Sequence, residues 1–540
     1  MLFNSFEFIL LFVPITVTVF YVIRRRSYDL AMLFLLAASA FFYGWWNPSF
    51  LTLILASVGV NYVLGTAMYR ARLLGKTHQV KGILITGLVV NLALLGYFKY
   101  FNFFTDNASR LLDLGWTFEH IVLPLGISFF TFQQITFLVD LSKGKIGEVN
   151  FSKYFLFIVF FPHLIAGPIV YYTQMVPQFI RNERRHKMCA DVAVGLAIFT
   201  IGLFKKVVFA DGVSIYATPA FTAAADGIAL TFVAAWGAAL AYTLQLYFDF
   251  SGYSDMAIGL ARMFGVRLPM NFNSPYKSCS IIDFWRRWHM TLSHFLRDYI
   301  YIPLGGNRRG HLSKYFNILV TVLLGGLWHG AGWTYVVWGA LHGIFLVVNH
   351  AWRSAREQLA WLPRFPSRAG KVFGWALTFL VVVIAWVFFR AADVLTALSI
   401  LKAMAGLNGF SLPKEYLQDL GPLAPVLQQW GWRFDGAPFW NGRIQMTWVF
   451  LLLVVALMFP NTQTIMRRYR PTLDYVAVAE RTRKGSPAIE PGKFSWVERV
   501  WSVFEWRADT RSLAWTVGLA LAALLYLFGG NDSEFLYFQF

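Results

Sequence analysis

The chain alternates long apolar stretches with short loops that are rich in lysine and arginine. The apolar stretches run for about 17 to 25 residues, the length that crosses roughly 30 Å of hydrocarbon as a helix. Of the 540 residues, 57% are hydrophobic and only 14% are charged, and a water-facing core could not cover that much apolar surface. The sequence therefore predicts an all-α polytopic membrane protein and excludes most soluble folds.

The positions of the basic residues predict how the chain is oriented in the membrane. Arg24, Arg25 and Arg26 follow the first apolar stretch, so the positive-inside rule places the N-terminus outside. By the same rule residues 390–445, whose charges nearly balance, are external, and the more basic residues 460–511 are cytoplasmic. The last span then carries the C-terminus outward. Basic loops at an anionic membrane surface explain the formal net charge of +19, so nucleic acid is not an expected partner.

Polar residues, glycine and proline interrupt the apolar sequence between residues 154 and 345, as in FFPHLIAGPIVYY (160–172) and LQLYFDFSGYSDMAIG (244–259). Such interruptions occur at membrane depth only where protein or a water-filled cavity satisfies the backbone. We predict about eleven to thirteen spanning or re-entrant helices. The functional core is expected in the second of four regions, which are 1–153, 154–350, 351–511 and 512–540.

Two of the ten histidines stand in polar motifs beside or within apolar sequence. His289 lies in DFWRRWHMTLS (283–293), and His329 lies in LLGGLWHGAGWTYVVWG (323–339). A neutral imidazole can accept a proton from a hydroxyl group and later return it, as acyl transfer to an alcohol requires. The alternative is structural, because a histidine within a membrane often hydrogen-bonds a backbone carbonyl or a neighbouring helix.

Residues around these two histidines fit either ligand binding or packing. Arg286 and Arg287 could bind the phosphates of a nucleotide-based donor at the cytoplasmic rim, or anchor the chain there as cytoplasmic cations. Four glycines near His329 would admit a narrow ligand such as an acyl-pantetheine arm, or would let another helix pack closely. These glycines are Gly325, Gly326, Gly330 and Gly332.

Two carboxylates, Asp249 and Asp255, lie within the apolar segment 244–259. A carboxylate in apolar surroundings needs a partner or a wet cavity, so we predict that both line a substrate cavity near the histidines. The alternative is an ion pair that fixes two helices. His163 and His342 raise the same question, and we expect them to be packing or supporting residues.

Segments spread over nearly the whole chain match the motifs of one family of membrane enzymes. They are FEFILLFVPI with FFYGWWNP, LPLGISFFTFQQITFLVD (123–140), FFPHLIAGPI, LQLYFDFSGYSDMAIGLARMFG, NFNSPYKSCSIIDFWRRWHMTLSHFLRDYIYIPLGGNRRG and GGLWHGAGWTYVVWGALHG. In this order they resemble the membrane-bound O-acyltransferase family (MBOAT), and within it the bacterial branch related to alginate O-acetylation. The resemblance implies that His329 of the WHG segment is catalytic and that His289 of the WRRWH segment is the second signature residue. Trp328, which precedes His329, is expected to line the substrate cavity.

The resemblance also implies a ring of tilted helices around a thinned centre, with a funnel from each side that meets at the catalytic histidine. Acetyl-CoA would enter from the cytoplasm as donor substrate, and the acceptor hydroxyl from outside. The expected function is O-acetylation of an extracytoplasmic polysaccharide such as alginate across the cell inner membrane, together with an SGNH-hydrolase-like partner. No bound cofactor is expected, and Cys189 and Cys279 form no CxxC pair that would hold a metal.

The last residues, EFLYFQF, resemble the C-terminal motif of a small partner protein in teichoic-acid D-alanylation, where a tyrosine is proposed as an acyl relay. The resemblance implies the same role for Tyr537, and the charge pattern places this tail (residues 531–540) on the outer face. An aromatic anchor at the membrane interface is the alternative for Tyr537. Here the motif is fused to the enzyme instead of lying on a separate chain.

Two other functions stay open from the sequence. D-alanyl transfer to teichoic acid would use similar machinery with a carrier protein as donor, although the extra C-terminal length and the fused tail count against it. A polysaccharide exporter or transporter would also explain aspartate and histidine side chains within the membrane. Transporters of that kind contain inverted repeats, and the sequence shows no recognisable repeat.

Overall fold

The structure, a computed structural model, describes residues 1–113, 115–116, 118–180, 188–358, 368–435, 439–485, 500–530 and 535–536. Tyr537 lies outside the described residues. Helices make up almost all of the regular structure in the described part of the chain, which confirms the predicted all-α class.

The helices of the first half are α1 (Val13–Arg26), α2 (Tyr28–Gly44), α3 (Pro48–Leu73), α4 (Thr77–Leu95), α5 (Phe101–Leu112), α6 (Ile127–Ser142), α7 (Phe151–Val159), α8 (Phe161–Leu164), α9 (Tyr172–Ile180), α10 (Met188–Phe204), α11 (Asp211–Ala225) and α12 (Phe232–Met263). Those of the second half are α13 (Ile281–Trp285), α14 (Met290–Leu296), α15 (Gly310–His329), α16 (Trp333–Gln358), α17 (Arg368–Arg390), α18 (Val394–Met404), α19 (Tyr416–Asp419), α20 (Leu423–Gln429), α21 (Gly442–Met458), α22 (Thr462–Ile465), α23 (Tyr475–Gly485) and α24 (Thr510–Phe528). π-Helical segments cover Glu7–Phe12, Gly96–Tyr100, Lys205–Ala210 and Arg297–Tyr301. Two 3-10 turns cover Pro275–Lys277 and Arg467–Tyr469.

Within the described residues, seven helical stretches are long and apolar enough to cross a membrane. They are Glu7–Arg26, Pro48–Leu73, Thr77–Leu112, Met188–Ala225, Trp333–Gln358, Ala369–Arg390 and Thr510–Phe528. Shorter apolar helices cover Tyr28–Gly44, Val394–Met404 and Gly442–Met458. The chain is therefore a multi-pass membrane protein. The predicted number of spans also counts helices with polar interruptions, such as α12 and α15, and stays a prediction.

Local sequence explains where these helices begin and end. The basic run Arg24–Arg26 forms the last turn of α1, where cations favour the negative end of the helix dipole. Asn47 begins α3, because its side-chain oxygen accepts a hydrogen bond from the N–H of Ser49 (2.9 Å). Pro48 takes the first helical position, where its missing N–H removes no helical hydrogen bond. Asn47 and Pro48 together therefore fix the start of α3.

Two of the long apolar stretches contain a π-helical segment that carries lysine. Gly96–Tyr100 lies between α4 and α5 and contains Lys99, and Lys205–Ala210 lies between α10 and α11 and contains Lys205 and Lys206. A π-helical turn accommodates an extra residue and is frequent at functional sites. Both segments direct their lysines toward residues that the sequence motifs single out.

Helices α10 and α12 pack closely through glycines that face each other. A methyl group on Gly195 of α10 would lie 2.6 Å from the carbonyl oxygen of Gly259 on α12, and one on Gly202 would lie 2.6 Å from that of Gly252. Small residues of this kind let membrane helices approach closely. The contact fixes α12, which carries both predicted carboxylates, beside the helix that leads into Lys205 and Lys206.

The predicted external region 390–445 contains a small pair of parallel strands. β1 (Phe410–Ser411) pairs with β2 (Trp432–Arg433), with Phe410 opposite Trp432. The N–H of Phe232, the first residue of α12, donates to the carbonyl oxygen of Gly409 (3.1 Å). This hydrogen bond places the start of α12 beside that region.

Candidate active site

His329 is the last residue of α15, and the close packing of α15 against α16 holds it in place. A methyl group on Gly326 would collide with the carbonyl oxygen of Tyr335 and would lie 3.0 Å from the Cα of Gly339. After His329, Gly330 adopts an extended conformation that ends the helix. His329 is only 5% exposed. The small residues therefore keep the end of α15, with its imidazole, inside the helix bundle.

His289 lies at a strained point of the backbone, immediately before α14. Its φ angle of 41° falls in the left-handed region that few residues other than glycine adopt. The N–H of Met290 and the hydroxyl of Thr291 hold this conformation, because both donate to Asn271 at 2.9 Å. The imidazole is fully buried, and neither ring nitrogen has a hydrogen-bond partner among the described residues. Strained backbone and unpaired buried polar atoms are both characteristic of functional sites.

The structure brings the two predicted histidines together in an enclosure of aromatic rings. The ring centroids of His289 and His329 lie 6.2 Å apart, and the indole of Trp328 lies 5.9 Å from the first and 4.9 Å from the second. Phe250 of α12 packs on His289 at 4.8 Å, and Trp338 of α16 packs on His329 at 5.1 Å. An enclosure of this kind excludes water, which would otherwise compete for an acyl group.

A cavity of about 880 Å³ opens next to His289. The cavity is lined by Trp285 and Met290, which flank His289 in the sequence, and by Val478 of α23. Helix α23 belongs to the loop 460–511, which the charge pattern assigns to the cytoplasm. The cavity therefore lies on the predicted cytoplasmic side of the paired histidines.

Four arginines line this cavity, and they differ in their partners. Arg287 is paired with Asp283 (3.0 Å), four positions before it, and Arg297 is paired with the adjacent aspartate. Arg286 and Arg353 line the same cavity, are exposed, and form no ion pair with the described carboxylates. Of the two arginines predicted to bind the donor, Arg286 is thus available to a negatively charged ligand, whereas Arg287 already has a carboxylate partner.

A second cavity, of about 810 Å³, lies at the carbonyl end of α15. Gly332 and Trp333, which follow His329 closely in the sequence, line one wall, and Lys99 lines another. Asp393, in the predicted external region, also lines it. Sequence neighbours of His289 thus line a basic cavity on the predicted cytoplasmic side, and sequence neighbours of His329 line a second cavity on the predicted external side, while the two imidazoles themselves line neither.

Lys99 contacts Trp328 and His329 directly, although no sequence motif points to this lysine. Its Nζ donates to the carbonyl oxygens of Trp328 (2.5 Å) and His329 (3.3 Å) and to the hydroxyl of Ser128 (3.4 Å). The sequence feature that could have pointed to Lys99 is its isolation: it is a lone lysine within the aromatic segment GYFKYFNFF (96–104), outside any basic run. A charge in that setting needs a specific partner.

Asp249 forms a buried ion pair near the middle of α12. The Nζ of Lys206 lies 2.9 Å from Asp249 and 2.7 Å from Asp211, and the three side chains are at most 5% exposed. This is the ion-pair alternative of the sequence analysis, since Lys206 joins α12 to the segment before α11. Asp249 is not among the residues that line either cavity, and its place in a substrate cavity stays a prediction.

The tail reaches the core beside this ion pair. Phe535 is fully buried, with its ring centroid 4.9 Å from the Nζ of Lys206 and 4.5 Å from the ring of Tyr253. The N–H of Leu536, 6% exposed, donates to Asp249 (3.2 Å). Asp249 lies about 25 Å along α12 from the start of that helix, at 1.5 Å per residue. The tail therefore does not rest on the protein surface at these two residues.

Asp255, one turn and a half further along α12, has its own set of partners. The Nζ of Lys205 lies 2.8 Å from its carboxylate, the hydroxyl of Thr462 donates to it at 2.6 Å, and the amide of Gln463 donates at 2.9 Å. These contacts join α12 to α22 of the loop 460–511. Asp255 also has the ion-pair arrangement, and its assignment to a substrate cavity stays a prediction.

His163 and His342, the two histidines expected to be packing or supporting residues, differ in their contacts. The Nδ1 of His163 accepts a hydrogen bond from the side-chain amide of Gln133 (3.1 Å), and its role as a packing residue stays a prediction. His342 is fully buried against Trp338, with centroids 4.7 Å apart, and Trp338 also contacts His329. His342 is therefore placed to support His329 through the indole.

The glycines near His329 serve mainly close packing. A methyl group on Gly330 would collide with the ring of Tyr335, and one on Gly325 would lie 3.0 Å from Leu296. Gly332 has ordinary clearance and lines the second cavity. Only Gly332 is thus positioned for the alternative of a narrow ligand.

Comparison with known proteins gives the family of the chain. The sequence pattern of MBOAT, the membrane-bound O-acyltransferase family, matches residues 41–392, about two thirds of the chain. This range includes both histidines, Lys99 and Asp249. The chain is 42% identical over 440 residues to the peptidoglycan O-acetyltransferase of Helicobacter pylori, covering 76% of this chain and 81% of that protein.

Two further relatives differ in the group that their names say they transfer. A probable alginate O-acetylase of Pseudomonas putida is 37% identical over 549 residues, which cover 100% of both chains. The teichoic acid D-alanyltransferase of Streptococcus thermophilus is 27% identical over 284 residues, covering 49% of this chain and 68% of that protein. These matches make the chain an acyltransferase, which removes the exporter alternative. The chain belongs to the membrane-bound O-acyltransferase family.

Proposed function

We propose that this protein transfers an acetyl group from acetyl-CoA on the cytoplasmic side of the cell inner membrane to an acceptor on the other side, for O-acetylation of a polysaccharide. Alginate and peptidoglycan are the polymers that its relatives' names suggest. The observation that carries the proposal is the close approach of His289 and His329, whose sequence neighbours line two separate cavities, one of which presents arginines without a carboxylate partner.

The cytoplasmic cavity suits a nucleotide-bearing thioester. Coenzyme A carries several phosphate charges, and guanidinium groups bind phosphate through paired N–H donors. Arg286 and Arg353 supply such groups without a carboxylate partner. The pantetheine arm would then pass beside Trp285 and Met290 toward the histidines. The proposed donor is a substrate, and the proposal includes no bound cofactor.

The proposed reaction needs one group that can both accept and donate a proton. His329 takes the proton of the acceptor hydroxyl as its oxygen attacks the thioester carbonyl, so that a C–O bond forms. When the C–S bond breaks, the same proton passes to the departing sulfur, and the imidazole returns to its neutral form. His289, on the side of the cytoplasmic cavity, positions the thioester.

The first acceptor in this proposal is Tyr537. The support is the anchoring of the two residues before it, since Phe535 and Leu536 are buried beside Lys206 and Asp249. A phenol, with a pKa of about 10, leaves an ester more readily than a sugar hydroxyl does, so an acetyl-tyrosine can pass its group onward. An SGNH-hydrolase-like partner outside the membrane would then place the acetyl group on the polysaccharide.

The test is the mass of the C-terminal peptide that contains Tyr537 after purified protein receives acetyl-CoA. Wild-type protein is expected to gain one acetyl group on this tyrosine, and the His329→Ala variant none. His311→Ala, which removes an exposed histidine, is the matched control and should behave as wild type. Equal acetylation in His329→Ala would refute the role of His329. Modification only with a D-alanyl carrier would favour the activity named for the Streptococcus relative.

A further inference from the structure

We propose that Lys99 is a positioning residue for His329: the ammonium group of Lys99 anchors the carbonyl end of α15 and so fixes the imidazole of His329 beside that of His289. This inference rests on the proposed role of His329. Neither the family match nor the sequence motifs assign a role to Lys99.

The geometry joins Lys99 to the last two residues of α15. Its Nζ donates to the carbonyl oxygens of Trp328 (2.5 Å) and His329 (3.3 Å). The last carbonyl groups of a helix have no partner within the helix, and they form the negative end of its dipole. A cation at this point therefore satisfies both needs, and it does so on the residue that carries the imidazole.

A helix end alone does not require a charge, as the neighbouring residue shows. The hydroxyl of Tyr100 donates to the carbonyl oxygen of Leu327 (2.7 Å), one residue before Trp328. A neutral donor thus satisfies the same helix end. Lys99 forms no ion pair with the carboxylates of the described residues, although a charge in a membrane protein is costly without compensation. Its interaction with α15 is the compensation that the described contacts provide.

The π-helical segment explains how two consecutive side chains reach the same helix end. In a regular α-helix neighbouring side chains diverge by about 100°. Lys99 and Tyr100 lie in the π-helical segment Gly96–Tyr100, and together they contact the carbonyl groups of residues 327 to 329. Local widening of this kind is frequent at functional sites. Lys99 also lines the external cavity, so the anchor lies beside the expected path of the acceptor.

The first test follows acetylation of Tyr537 in a single turnover at varied acetyl-CoA concentration, for three variants in lipid nanodiscs. The maximal rate is taken as kcat and the half-saturating concentration as KM. Lys99→Met is expected to lower kcat by about 10- to 100-fold, because a small displacement of a catalytic group has that effect. The KM for acetyl-CoA should stay the same, since the arginines of the cytoplasmic cavity are untouched. Lys99→Arg, which keeps the charge and the donors, should restore most of the rate. Tyr100→Phe is the matched control, and it should change kcat less than about three-fold.

A second measurement tests the anchor without any donor substrate. Diethyl pyrocarbonate modifies accessible imidazoles, and mass spectrometry of the WHG peptide reports the modification of His329. Lys99→Met should raise the modification rate several-fold, whereas Lys99→Arg and Tyr100→Phe should match wild type. If wild-type protein transfers no acetyl group, the proposed function fails, and this measurement alone decides the role of Lys99.

Three results would overturn the inference. One is unchanged kcat and unchanged His329 modification in Lys99→Met, with each variant folded by size exclusion and thermal unfolding. Another is an equal loss in Tyr100→Phe, which would reduce Lys99 to one of several general contacts of α15. The third is a raised KM at constant kcat, which would make Lys99 a binding residue.

Discussion

The imidazole of His289 lies 6.2 Å from that of His329, measured between ring centroids, although the first residue precedes α14 and the second ends α15. Trp328 contacts both rings, so the position of one imidazole depends on the other. Groups arranged in this way act as a unit, and their contributions to catalysis are not additive.

Replacement of His329 by glutamine should lower kcat by about 10²- to 10⁴-fold, the usual contribution of a general acid–base group. Replacement of His289, which positions the thioester, should lower it by about 10²-fold. The double variant His289→Gln/His329→Gln should be little slower than His329→Gln, because the first loss already disables the pair. Initial rates of acetyl transfer give both values. Multiplication of the two single effects in the double variant would show that the histidines act independently.

Loss of the two unpaired arginines should weaken donor binding without changing the chemical step. Arg286→Ala and Arg353→Ala are each expected to raise the KM for acetyl-CoA by about 10-fold, as removal of a charged hydrogen bond would, with kcat nearly constant. The effect should shrink at high salt, because exposed charges are screened. Arg308→Ala, an exposed arginine that does not line the cavity, is the control. A fall in kcat alone would contradict this assignment.

Enlargement of Gly326 should separate α15 from α16. The methyl group of Gly326→Ala would collide with the carbonyl oxygen of Tyr335, and overpacking of this kind costs about 1–3 kcal/mol. Both the Tm and the transfer rate should fall, since His329 ends the displaced helix. Gly518→Ala in α24 is the matched control, because its methyl group would meet no atom within 4 Å. An unchanged Tm in Gly326→Ala would show that α15 and α16 can accommodate the methyl group without loss of stability.

Removal of the buried cation should destabilise the whole bundle. Lys206→Met leaves the carboxylates of Asp249 and Asp211 buried without their partner, and such a change costs about 3–5 kcal/mol. Thermal unfolding in detergent measures the loss. Arg433→Met removes an arginine whose side chain is 59% exposed in its pair with Asp435, which is itself 56% exposed, and this control should cost at most about 1 kcal/mol. Similar decreases in Tm in the two variants would mean that the buried ion pair stabilises the protein no more than an exposed one.

Replacement of Phe535 by alanine should release the tail from the core without removing Tyr537. Phe535→Ala removes a fully buried ring, with a cost of about 3–5 kcal/mol to the docked state. Carboxypeptidase should then digest the end of the chain faster, and acetylation of Tyr537 should fall. Leu525→Ala, on an exposed position of α24, should leave both unchanged. Faster digestion with undiminished acetylation would separate docking from transfer.

Hydropathy and motif patterns were sufficient for the fold class because they are local. Each long apolar stretch reports its own length, and the WHG and WRRWH segments carry His329 and His289 in recognisable surroundings. The preference for Arg286 over Arg287 was also within reach, since Asp283 precedes Arg287 by one helical turn. That spacing is typical of an ion pair on one face of a helix.

The contacts of Lys99 and Lys206 were not predictable in the same way. Lys99 meets Trp328 across 229 positions of sequence, and no periodic pattern encodes which helices become neighbours. The tail shows a related limit, because the positive-inside rule predicts a side of the membrane but no depth. Phe535 and Leu536 are buried, and only the fold shows that Asp249 accepts the hydrogen bond of the Leu536 N–H.

The hydrogen bond between Leu536 and Asp249 also sets an order of assembly. Leu536 is translated 287 residues after Asp249, which at 5–20 residues per second takes roughly 15 to 60 s. During that interval Lys206 and Asp249 are already made, while Phe535 and Leu536 are not. The contacts of these two residues with the core around α12 can therefore form only after α24 has been made.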